Sequence, residues 1–149
     1  MDAQPGKAEI SSEGRADAHQ LVVAVIVPLV RRTSFPHAES SEEEFVYVVD
    51  GEPDVWLDGH LYRLKPGDAV GFPAGTGIAH SFLNNTEVEV RLLVVGERPK
   101  PDNRIVYPLN PDRRPLREDW WDDPPQHALG PHDGLPDRVR AAKAGQPGE

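Results

Sequence analysis

Three short stretches hold residue types that do chemistry. In Pro36-His37-Ala38-Glu39 an imidazole and a carboxylate stand two residues apart. On an extended chain such residues share a face, so both can point into one cavity. Glu42-Glu43-Glu44 then leads into the apolar run Phe45–Val49, and counting by two places Glu44, Val46 and Val48 together. Later, His80 and Phe82 share a face of Ala79–Leu83. Two imidazoles with one or two carboxylates form a donor set for a first-row divalent metal such as iron or manganese. With open positions, such a metal polarises a bound oxygen and orients reactants. Other chemistries are excluded. There is no cysteine for thiol catalysis or zinc–thiolate sites. No serine-nucleophile motif, phosphate-cradling glycine loop or dinucleotide fingerprint occurs.

Short strands must position these residues. Leu21–Val27 is rich in β-branched residues and ends at Pro28. Its lack of alternation predicts burial on both faces. Glu44–Val49 and Asp54–Leu57 read as strands, and Asp58-Gly59 is the tight-turn chemistry that returns the chain as His60–Leu64. Ala69–Phe72, Ala79–Leu83 and Val88–Val95 follow, separated by Lys65–Asp68, the Gly-rich Pro73–Gly77 and Asn84–Thr86. Many short strands at this spacing predict an antiparallel β-barrel or sandwich.

At Gly96 the character changes. Ten of the 16 prolines lie between Pro99 and Pro147. Proline fixes φ and removes a donor, so most of this tail cannot form regular helix or central strand. Ile105–Leu109 and Trp120-Trp121 are apolar enough to dock it. The chain divides into a disordered arm over 1–20, a barrel over 21–97, an extended Pro-rich arm packed on the barrel over 98–140, and a disordered tail over 141–149. Sixteen Lys and Arg against 25 Asp and Glu give a formal net charge of −9. That balance, without a basic stripe, argues against nucleic acid and anionic membranes as partners. The longest apolar run, Leu21–Val30, is too short to span a bilayer, which takes roughly 20 apolar residues. The acidic residues before it argue against a signal peptide. The absence of cysteine fits a reducing, cytoplasmic setting.

The spacing between Pro36 and Asn84 resembles the two motifs of the cupin superfamily. His37 takes the first histidine position of the first motif, and Glu44 and Gly51 take its glutamate and glycine. Gly67, Pro73, Gly75, His80 and Asn84 supply the second motif. The resemblance covers roughly residues 31–97 and implies a jelly-roll fold. It also implies a metal set of His37, Glu39, Glu44 and His80. Two departures stand out. Glu39 occupies the place of the family's second histidine, and four residues rather than the usual two separate Gly75 from His80. A set of two histidines and two glutamates is more negative by one than the family's usual set. It suits iron or manganese better than zinc.

Alternatives stay open at several of these residues. Glu43 replaces Glu44 if the strand starts one residue earlier. Glu39 can accept a hydrogen bond from a ligand instead of binding metal itself. Glu42–Glu44 can be a solvated acidic turn, and His37 and His80 can be structural. His60, His19 and His132-Asp133 read as loop or turn residues, and Tyr47 and Trp56 as core or dimer-face aromatics. The expected function is a metal-binding cupin of dioxygenase or isomerase type, acting on a small polar molecule. The alternative is a metabolite-binding module without turnover. A homodimer is expected, with Leu21–Val27 as the pairing strand.

Overall fold

The computed structural model describes residues 20–145. The reading of a disordered arm over 1–20 lies outside the described residues except at Gln20, which begins a strand; His19 and residues 146–149 lie outside them too. Nine strands form three antiparallel sheets. The larger sheet has the order β1 (Gln20–Val27), β8 (Val90–Glu97), β3 (Glu44–Asp50), β6 (Ala69–Phe72). The second has β5 (His60–Arg63), β4 (Asp54–Leu57), β7 (His80–Leu83). A two-stranded ladder joins β2 (Ala38–Glu39) to β9 (Ile105–Val106). This is an antiparallel fold of jelly-roll type, and among the described residues no helix is long and apolar enough to cross a membrane.

Between the two sheets lies the main core. Val27, Val46, Val48, Val55, Phe72, Phe82, Val90 and Leu92 all contribute to it. Each strand of the larger sheet gives alternate residues inward, as the period-two pattern of β3 and β8 requires. The smaller sheet differs, because β4 and β7 are buried on both faces. Trp56 turns away from the main core into a second cluster with Ala38 and Ala79, closed by Leu61, Val106, Leu109 and Trp121. The segment after β8 therefore supplies the second cover. Trp56 Nε1 donates to the His132 carbonyl at 2.9 Å, which satisfies the one polar atom of a fully buried indole.

Two expectations need correction. β1 is not buried on both faces, since Val22 and Ile26 are 54% and 57% exposed. The sheet is covered on one side alone, and the outer residues of β1 stand in open view beside Phe45, Tyr47 and Val49. Nor is the chain irregular from residue 141, because α1 (Asp137–Ala144) runs through it. Pro136 immediately precedes that helix, where a fixed φ assists initiation instead of breaking it. Pro111–Leu116 forms a 3-10 turn.

Two turns pin the halves together. Asn84 is fully buried, and its Nδ2 donates to Val27 O at 3.0 Å and Val88 O at 2.8 Å. Its Oδ1 accepts from Thr86 N and Oγ1 at 3.0 and 2.7 Å. The motif asparagine is thus a fully satisfied structural node, tying the end of β1 to the turn after β7. The Asp58-Gly59 hairpin carries φ of 43° and 90°, the left-handed region that this turn needs. Gly130 N donates to Asp58 O at 2.6 Å, and His132 N to Gly59 O at 3.1 Å.

A Cβ at residue 59 would lie 2.3 Å from Gly130 O and 2.4 Å from Gly130 N. Neither neighbour is a flexible side chain. Gly59→Ala is expected to cost about 2–4 kcal/mol in urea unfolding. Gly71→Ala, with nothing within 4 Å of the added carbon, is expected to change stability by about 0.5 kcal/mol or less.

Candidate functional site

His37 and His80 are brought together by backbone pairing. His80 N donates to His37 O at 2.9 Å, and His37 N to His80 O at 3.2 Å. This isolated bridge sets the imidazoles side by side, 4.8 Å between centroids. His80 begins β7 on the same face as Phe82, so its ring enters the space between the sheets. There Phe72 of β6 stacks on it, 3.6 Å between centroids and 9° between planes. Glu44 begins β3 directly opposite Phe72 and faces the same space. His80 Nε2 meets Glu44 Oε1 at 3.3 Å, the central polar contact of the site. Glu43 is exposed, which settles the register in favour of Glu44.

Glu39 takes a different course. It lies on β2 with its carboxyl on the inward side, yet no hydrogen bond reaches that carboxyl among the described residues. Two cavities meet at it. One is a recess of about 10 Å³ lined by Glu39, Glu42, Glu44, Phe72, Thr76 and His80, among others. It admits about one water molecule. The other is an outer cleft of about 270 Å³ walled by Glu39, Glu42, Lys100, Asn103, Arg117 and Asp119. A further groove of about 310 Å³ shares Glu44 and Phe72 with the recess. That groove opens beside Phe45 and Val95 on the outer sheet face and contains neither histidine nor Glu39.

The electrostatics follow from burial and crowding. Burial, then the neighbouring His80, pushes His37 down to about 4, against the pull of the Phe35 carbonyl and Glu44. His37 is therefore neutral at pH 7, and its Nδ1 donates to Phe35 O at 2.9 Å. Glu39 is pushed up to about 7, first by burial and then by Glu42 and Glu44. Arg117 opposes this incompletely, because its guanidinium is committed to Asp119 at 2.6 and 2.8 Å. Burial also acts to raise Glu44, but the His80 hydrogen bond and charge, with His37 after them, outweigh it and hold Glu44 below the ordinary carboxylate value.

The four expected ligands are thus neighbours without being one donor group. His80 and Glu44 hold each other, His37 gives Nδ1 to its own loop, and Glu39 faces Arg117 and Glu42. Among the described residues no three His, Asp or Glu side chains are grouped to hold a metal ion. As they stand, these four side chains are not arranged as a single donor group for a metal. His60 is exposed on β5. His132 is largely enclosed, accepting from Gly134 N at 3.1 Å on Nδ1, and belongs to the cover of Trp56. Phe72, Tyr107 and Arg117 belong to the site's surroundings but escaped the sequence reading. Tyr107 sits 6.0 Å from the His37 ring, within an apolar run that did signal docking. No local pattern marks Arg117 or Phe72.

The raised Glu39 gives a pH signature. Its folded value lies above its unfolded value, so its contribution is complete below about pH 4.5 and is lost as pH rises through about 7. Glu39→Gln removes that loss. The variant is expected to gain about 1–2 kcal/mol on wild type at pH 8, after discounting for solvent screening, and the gain should shrink toward pH 4.5. Urea unfolding at several pH values measures it. His37 acts in the opposite direction, with stability lost as pH falls from 6.5 toward 4, and is unchanged in the comparison.

Comparison with known proteins places this geometry. The Cupin domain family model matches residues 27–96. No curated protein matches the chain significantly. Among solved structures, a sugar phosphate isomerase of the cupin superfamily from Silicibacter pomeroyi is 31% identical with a TM-score of 0.58. The match covers 60% of this chain and 57% of that one. A candidate sugar phosphate isomerase from Acidithiobacillus ferrooxidans is also 31% identical, TM-score 0.56, over 60% of this chain and 56% of that one. The chain thus spans a little over half the length of either protein. A polyketide cyclase of Streptomyces resistomycificus, 23% identical over 68% of this chain and 70% of its own, shares the fold at a TM-score of 0.51. Residues 27–96, with both histidines and both glutamates of the site inside them, are a cupin domain.

Proposed function

We propose that this protein is a small-molecule cupin enzyme of isomerase type, acting on a small hydroxylated carbonyl compound. The observation that carries the reading is the His80–Glu44 contact beside a second carboxyl, Glu39, shifted in the opposite direction. Two titratable groups pushed apart by their surroundings are the usual basis for an acid–base division of labour. Glu44, ionised, accepts the proton from the carbon next to the carbonyl. Glu39, protonated in part near pH 7, hydrogen-bonds the carbonyl oxygen and supplies its proton as the enediol forms. Return of the first proton to the adjacent carbon, and of an oxygen-bound proton to Glu39, completes the isomerisation. His80 Nε2–H positions the Glu44 carboxylate, and Phe72 fixes the His80 ring. The body of the substrate rests in the outer polar cleft, and a turn of the Glu39 side chain joins that cleft to the recess. The likeness to sugar phosphate isomerases supports the substrate class.

The test is solvent exchange. In D₂O, the protein should introduce deuterium next to the carbonyl of at least one of a panel of hydroxyaldehydes, hydroxyketones and their phosphates. Glu44→Gln should lower exchange about 10²–10⁴-fold. Glu39→Gln should lower turnover and remove its dependence on pH near 7. Binding without exchange across the panel points to the module without turnover. Iron or manganese, expected from the resemblance, is measured directly in protein purified without a tag. Stoichiometric metal that is lost in His80→Ala would replace the side-chain mechanism.

We also propose that two copies associate along β1. Among the described residues this edge strand pairs with β8 alone; it carries no charged residue over Gln20–Val27 and continues the exposed surface of Phe45, Tyr47 and Val49. An uncharged, apolar edge of this length favours addition of another strand. Sedimentation should show a dimer at micromolar concentration, and Ile26→Lys should give monomer. A wild-type monomer rejects the association.

A further inference from the structure

Trp120-Trp121 has no part in the recess, yet the pair lines a cleft of its own. That cleft measures about 340 Å³ and is walled by Asp58, Gly77, Val106, Trp120, Trp121, Asp122, Gln126, His127 and prolines of the arm, among others. Its size falls in the range of small-ligand sites. The Gly-rich turn separates it from the recess, since Thr76 and Ile78 line the recess and Gly77 lines the cleft. The arm clamps this wall. His127 Nε2 donates to Thr76 O at 2.7 Å, and a Cβ on Gly77 would come within 2.5 Å of Pro125 O. The cleft is therefore built by the chain's own packing.

Its chemistry has a sign. Two carboxylates line it, with no lysine or arginine. Asp58 uses Oδ1 to accept from Ala79 N at 2.8 Å, which leaves Oδ2. Asp122 Oδ1 accepts from Arg114 Nε at 3.0 Å and Nη2 at 2.5 Å, an ion pair that leaves its own Oδ2. Gln126 donates Nε2 to Pro124 O, which leaves Oε1. These remaining atoms are all acceptors, and they stand among two indole rings. We propose that the Trp120-Trp121 cleft binds an organic cation with N–H donors, an alkylammonium or guanidinium group. Indole faces attract such groups through the ring quadrupole, and the carboxylates add charge-assisted hydrogen bonds. Anions are repelled by Asp58, whereas Asp122 is already paired with Arg114. A neutral sugar could stack on the indoles but would leave the Asp58 carboxylate without a countercharge. The site is separate from the proposed isomerisation and stands without it.

The probe is agmatine, which carries both groups, with glucose and citrate as comparators, titrated into the full chain. Agmatine should perturb the indole N–H resonances of Trp120 and Trp121 saturably and spare those of buried Trp56. Asp58→Asn keeps an oxygen for Ala79 N, and asparagine tolerates the positive φ, so folding should be unchanged. Affinity for agmatine should fall about 3–10-fold in this variant, and again in Asp122→Asn. No saturable shift with agmatine, an equal response to glucose or citrate, or two variants that bind like wild type would each overturn the proposal.

Discussion

The structure depends on burying β4 and β7 of the small sheet from both sides. A three-stranded sheet gives little core alone, and one face of it already serves the main cluster. The other face carries Trp56, whose exposure would leave a large apolar surface in water. The segment after β8 solves this by laying Val106, Leu109 and Trp121 over the indole and by accepting its N–H. Burying such a ring stabilises by roughly 2–3 kcal/mol, and an unmet N–H would cancel a large share of that. His80, on the opposite face of β7, is held by its backbone bridge to His37 and by the Phe72 ring.

The same cover explains the site's electrostatics. Ile105 and Val106 pair with β2, so the arm reaches the strand that carries Glu39 and sits next to His37. It brings Arg117 near Glu39 while Asp119 spends most of that charge. Glu39 is then crowded by Glu42 and Glu44 with too little compensation, and it keeps its proton to higher pH. Glu44 has His80 and does not. Two carboxyl groups of one cavity thus acquire different roles from their neighbours, not from their type.

The departures of this cupin domain from the family pattern have physical counterparts. The longer turn between Gly75 and His80 contains a second glycine with positive φ, Gly77. That glycine is where the arm comes against this turn, at the Pro125 carbonyl. The extra length therefore lies under the arm, between two cavities, and His80 keeps its place. Glutamate in place of the second motif histidine puts a carboxyl at the wall between recess and outer cleft.

The sequence by itself determined the strands and their facing. Period two in Glu44–Val49 and in the expected strand Val88–Val95 reads directly as one buried face, although the strand begins at Val90 and Val88 is exposed, and Asp58-Gly59 could be little else than a hairpin. His37, Glu44 and His80 were legible because motif spacing reports strand register. Which face of β1 is open was not legible. An unbroken β-branched run looks the same whether it is covered once or twice. Whether Glu39 joins the histidines was decided by tertiary structure, since its surroundings come from Arg117 and Asp119, nearly eighty residues away. The stacking of Phe72 on His80 and the cleft beside Trp120-Trp121 have the same origin. Each needs two or more segments to meet, and no local pattern records where a proline-rich arm will land.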